Sequence, residues 1–126
     1  KGTIININSQ EQLKCVMDNL HLYLGEKSIN LIAELNHYYN VSKCGIGYHG
    51  DTERRIVICV RLGATIPMHF HWYENSKRVG KMMVIPDLEE GDMYIMSDKA
   101  GGWDWKLRKN NRLTLRHAAG CGKYTK

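Results

Sequence analysis

His49, Gly50 and Asp51 form the motif of this sequence that most directly suggests chemistry. On an extended segment, residues two apart project to the same side, so the imidazole and the carboxylate can grip one metal ion together. They are two of the three ligands in the facial triad of non-haem Fe(II) oxygenases, a set that leaves coordination positions open for small reactants. The same residues also suit a turn whose aspartate binds backbone amides. Their meaning therefore depends on what stands around them.

A second pattern lies near the other end of the chain. Arg112, Thr114 and Arg116 alternate with Leu113, Leu115 and His117 in the run RLTLRH. On a strand the first three share one face. Guanidinium groups on an inner wall are costly unless they meet an anion, and a dicarboxylate would meet them through paired hydrogen bonds. The plainer alternative is the polar side of an exposed strand. With Arg116 inward, its neighbour His117 faces the other way. His69 and His71 suit a partly exposed strand face, although a cupin-like metal enzyme would turn both inward. His21 and His37 read as ordinary surface or half-buried residues. Trp103 and Trp105 flank Asp104 and pack at an edge or over the mouth of a site.

The elements that must position these residues follow from length and pattern. A chain of 126 residues with 43% hydrophobic content is one globular domain by size. No apolar run approaches a membrane span, so no membrane partner is expected. Four cysteines without a C-x-x-C spacing argue against a zinc ribbon and for a reducing, intracellular compartment. The net charge of +5 gathers in Lys77, Arg78 and Lys81, and in Lys106, Arg108, Lys109, Arg112 and Arg116. Such clusters suit a polyanion such as nucleic acid, or a solvated basic surface.

Residues 1–40 read as the helical part. A short strand is expected over Thr3 to Ile7. A helix follows, capped by Ser9 with Gln12 and stopped by Gly25, and a second helix spans Ile29 to Tyr39. Residues 41–119 read as β: after the glycine-rich segment around His49, strands are expected at Arg55–Leu62, Ile66–Trp72, Lys81–Ile85, Met93–Met96 and Leu113–Ala118. Turns fall at Gly63-Ala64, Asn75-Ser76, Asp87 to Asp92 and Gly101-Gly102. Short strands with frequent turns argue for a barrel or jelly roll.

Six pieces in order resemble the AlkB-like branch of the Fe(II)/2-oxoglutarate-dependent dioxygenases. They are Asn36-His37-Tyr38, similar to the family's N-x-Y; HGD at His49 to Asp51; and IVICVRLG at Ile56 to Gly63. MHFHW at Met68 to Trp72, LEEGDMYIM at Leu88 to Met96 and RLTLR at Arg112 to Arg116 complete the series. The resemblance implies an α+β, mainly β fold: a double-stranded β-helix with N-terminal helices packed on one sheet. It implies oxidative hydroxylation or demethylation, with Fe(II) and 2-oxoglutarate as cofactors, O₂ as co-reactant and nucleic acid as a substrate class. It places His49 and Asp51 on iron, Arg116 on a carboxylate of 2-oxoglutarate, and Asn36, Tyr38 and Thr114 around the same molecule. The family's first arginine falls at Asn110, and its asparagine falls at Arg112, which would supply the missing guanidinium. The family's distal histidine has no counterpart in Ser97 to Asn110. Asp104 lies near the expected place and is the candidate third ligand. The alternative is a degenerate member without turnover, acting as a binding or scaffold module.

Overall fold

The computed structural model describes residues 2–107 and 111–126. The chain divides into two compact units, Lys1–Asn36 and His37–Lys126. The architecture is α+β and mainly β.

In the first unit, α1 (Glu11–Leu24) ends at Gly25, whose φ of 72° is the expected glycine stop. Ser9 does not cap this helix. The N-cap is Gln10, which makes no side-chain capping bond, and Asn6 caps a single 3₁₀ turn at Ile7–Ser9 instead. The expected strand over residues 3–7 is not formed: residues 3–6 have no regular structure and Ile7 opens the turn. The second expected helix is absent, and residues 31–38 have no regular structure. Asn30 takes a positive φ of 60°, and Ile32 and Leu35 are largely exposed. With these apolar residues unpacked, the segment lacks the burial that usually sustains a helix.

The second unit contains a four-stranded antiparallel sheet in the order β1-β6-β3-β4 and a two-stranded sheet of β2 and β5. The strands are β1 (Gly45–His49), β2 (Ile56–Val60), β3 (Met68–Glu74), β4 (Lys77–Ile85), β5 (Met93–Ser97) and β6 (Leu113–Gly120). Two short helices, α2 (Asp98–Gly101) and α3 (Gly122–Thr125), follow β5 and β6. Asn75 and Ser76, at φ of 47° and 67°, make the two-residue turn between β3 and β4, with Glu74 paired to Lys77. Two consecutive positive φ values mark the type I′ geometry that suits strand twist.

Register fixes which residues share a face. Phe70 lies opposite His117, and Trp72 lies opposite Leu115. These four, with Met68 and Ala119, form the inner face of the large sheet. On the small sheet Val57 pairs with Met96, and Cys59 with Tyr94. Met68, Phe70, Leu115 and Ala119 join Met96, Ile66 and Leu88 in one buried cluster, against which Tyr38, Val57, Trp72, Tyr94 and Ala100 pack. The core thus lies between the two sheets, and His117 is set into its margin.

Candidate metal centre

All three side chains of the candidate site come from β1, β6 and the turn after β1. His49 is the last residue of β1 and pairs directly with His117 of β6. Asp51 follows one residue beyond a glycine. That glycine is required. A Cβ on Gly50 would lie 2.2 Å from the Gly102 carbonyl oxygen and 2.7 Å from the Trp105 ring. Gly102 is held equally closely, since a Cβ there would fall 2.5 Å from the Leu115 carbonyl oxygen. The segment after α2 therefore lies against the back of the HGD turn. It also fixes the turn's path, because the Asp51 amide donates to the Gly101 carbonyl at 2.8 Å.

One nitrogen each of His49 and His117 and one Asp51 oxygen all lie within 4.8 Å of one another. His49 Nε2 stands 3.9 Å from Asp51 Oδ1, and His117 Nε2 stands 3.7 Å from Asp51 Oδ2. Both distances are too long for a hydrogen bond. Ligands at about 2.1 Å from one ion and at right angles lie about 3 Å apart. The three groups need close by only a fraction of an ångström to about two ångströms to reach that spacing. The His49 ring is oriented by a 2.8 Å contact between Nδ1 and the Gly47 carbonyl oxygen. A carbonyl only accepts, so Nδ1 carries the proton and the Nε2 lone pair is free to bind a metal.

His117 is held neutral by its surroundings. Its burial, reinforced by the neighbouring His49 and by Arg54, pushes its pKa down to about 4 against the pull of Asp51 and the Ala100 backbone. The Ala100 backbone faces the ring, yet Nδ1 is buried without a close hydrogen-bond partner. The rings of His49 and His117 are 4.4 Å apart between centroids. Two neutral imidazoles and a carboxylate form a donor set suited to a divalent transition metal.

Asp104 does not join this group. Its carboxylate is buried and bound by Lys99 Nζ at 2.7 Å, with Arg112 Nη1 at 3.7 Å. The structure brings His117, not Asp104, together with His49 and Asp51, unlike the expected grouping of His49, Asp51 and Asp104. The face expected for Arg116 is corrected. Arg116 pairs with His71 and Thr114 with Tyr73, on the side of β6 away from His117. There Arg116 stacks over the rings of Tyr73 at 4.0 Å and Trp105 at 5.2 Å. Arg112, Thr114 and Arg116 do line one small cleft together, with Asn75, Ser76, Trp105 and Leu107. A strand's thickness separates that cleft from the three ligands.

Of the other expected residues, Tyr38 packs against the core cluster, and burial raises its pKa. Asn36 is exposed in the first unit. Asn110, with Arg108 and Lys109 of the basic cluster, lies outside the described residues. His69 and His71 share the outer face with Arg116; His71 meets Tyr48 and Tyr73, and His69 contacts Met82 Sδ. A cupin-like site built on them is not formed, and Phe70 between them is in the core.

The chain is 48% identical, over all its 126 residues, to the uncharacterized protein R156 of Acanthamoeba polyphaga mimivirus. It spans about half the length of that relative, 48%. No family profile and no solved structure matches the chain. Among the described residues, no helix is long and apolar enough to cross a membrane.

Proposed function

We propose that this chain carries the metal centre of an Fe(II)/2-oxoglutarate-dependent oxygenase of AlkB-like type, with His49, Asp51 and His117 as ligands. The observation that carries this reading is the convergence of two imidazoles and one carboxylate on a single point. Strand order supports it. The chain crosses between its sheets at β1–β2, β2–β3, β4–β5 and β5–β6, crossings that a double-stranded β-helix also makes, while the β3–β4 hairpin stays in the large sheet; the ligands lie at the margin of the space between the sheets.

In this reading Asp51 supplies the negative charge, while His49 and His117 supply neutral nitrogen. The Gly47 carbonyl sets the His49 tautomer, and the Gly101 carbonyl and Trp105 hold the turn that aims Asp51. Bound Fe(II) supplies the oxidation of a C–H bond by O₂, coupled to the decarboxylation of 2-oxoglutarate. Arg116 lies on the face of β6 opposite the ligands and does not reach them. Nucleic acid as the substrate class is supported by the charge clusters and by the family resemblance.

Anaerobic titration of Fe(II) with 2-oxoglutarate present tests the proposal. A visible charge-transfer band, and succinate on admission of air, are the expected results. Stoichiometric metal binding without a band or succinate would reduce the proposal to a metal-binding module. No metal binding at all would end it.

A further inference from the structure

We propose that Cys44 and Cys121 form an oxidation site, closing into an intramolecular disulfide across the outer end of the β1–β6 ladder. The site stands apart from the metal centre and does not depend on it.

Cys44 immediately precedes β1 and Cys121 immediately follows β6. Gly45 pairs with Gly120, so the two cysteines are opposed on the next rung. The Cys121 amide donates to the Cys44 carbonyl at 3.0 Å. The glycine pair draws the strands together: a Cβ on Gly120 would fall 2.3 Å from the Gly45 Cα and 2.5 Å from the Cys44 carbonyl oxygen. Opposed residues of an antiparallel pair have Cα atoms about 4.5–5.5 Å apart, inside the roughly 4.4–6.8 Å that a disulfide spans.

Both thiols are free and half-buried. An oxidant reaches this end of the ladder from solvent, because neither thiol is fully buried. Cys59 lies on β2 of the small sheet, away from the β1–β6 ladder that opposes Cys44 and Cys121.

The oxidant class is a low-molecular-weight disulfide such as oxidised glutathione. One cysteine thiolate attacks a glutathione sulfur, the S–S bond breaks, and one glutathione thiolate leaves. The second cysteine thiolate then attacks the protein sulfur of the mixed disulfide and releases the second glutathione. Two protein thiols lose two protons and two electrons, and one glutathione disulfide becomes two thiols.

The test incubates the chain with chelator and oxidised glutathione, alkylates the remaining thiols and maps tryptic peptides. Two of the four cysteines should resist alkylation, and the peptide Cys44–Arg54 should be joined to His117–Lys123. That product would carry His49, Asp51 and His117 in one cross-linked pair. The thermal midpoint should rise by at least about 5 °C and return on reduction. Cys44→Ser and Cys121→Ser should each abolish the product, whereas Cys15→Ser and Cys59→Ser should not. Alkylation of all four cysteines, separate glutathione adducts at Cys44 and Cys121, or a covalent dimer would each overturn the proposal. The wild-type peptide map decides this even where a variant folds poorly.

Discussion

Asp104 is a buried carboxylate and Asp51 a half-buried one, and the segment between Gly101 and Trp105 links their surroundings. Asp104 is claimed: Lys99 holds one oxygen at 2.7 Å and also donates to the Leu113 carbonyl at 2.5 Å, tying the segment after α2 to the start of β6. Asp51 faces two imidazoles at 3.7 and 3.9 Å, with the Arg54 guanidinium no closer than 3.7 Å. A buried charge needs a compensating partner. Asp104 has one within its own loop and serves the fold. Asp51 lacks a close one, and its neighbours are neutral nitrogen donors, the surroundings in which a cation fits. Residue type is the same at the two positions, and the company each keeps separates a structural carboxylate from a candidate ligand.

The comparison breaks most completely at Gly50, where both surroundings meet. Gly50→Ala forces a methyl group into the Gly102 carbonyl and the Trp105 ring. We expect a loss of about 2–4 kcal/mol in urea unfolding, together with loss of metal affinity. Unchanged stability would mean that the two segments are not in contact.

Asp51→Asn should separate the two roles. Metal affinity should fall at least about 100-fold, since ligand charge is lost, while metal-free stability moves by less than about 0.5 kcal/mol. Isothermal titration with Co(II) and urea melts in chelator read the two quantities. His117→Ala should match it in metal affinity, and a variant that still binds Co(II) normally would remove His117 from the ligand set. Asp104→Asn should do the reverse. It leaves Lys99, partly exposed to water, without its counter-charge, at a cost of about 1–3 kcal/mol, and leaves Co(II) affinity within about twofold. A tenfold loss of affinity would return Asp104 to the metal. The smallest effect is expected for Arg116→Gln, which should leave Co(II) binding unchanged because the side chain lies across β6. A large effect there would show that the two faces of the strand are coupled.

Much of the β architecture was legible because its punctuation is chemical. Asn75-Ser76 marks a tight hairpin, continuous apolar runs mark β2 and β5, and alternation marks β3. The pairing of His49 with Asp51 was legible for the same reason, a period of two. The third member of the group, His117, was not. Alternation placed Arg116 inward on the assumption that β6 has one polar and one apolar face. β6 is buried on both faces: Leu115 and His117 face the core, while Thr114 and Arg116 lie under Tyr73 and Trp105. Polarity then no longer reports direction. A signal was present in His117-Ala118-Ala119-Gly120, where small residues crowd one histidine in a buried strand. The expected helix over 29–39 failed because periodicity describes a stripe without supplying a surface to cover it.

The pairing of His49 with His117 also bears on how the unit folds. The 65 residues from Thr52 to Arg116 separate the two ends of the site, so the ladder that assembles it closes a long loop before it gains any contact. Such non-local closure is slow, and its entropy is lost before packing repays it. A cation gripped across β1 and β6 would act as a clasp on that loop, holding the ladder shut during excursions in which the small sheet opens. Its presence should therefore be felt more in the rate of unfolding than in the rate of folding.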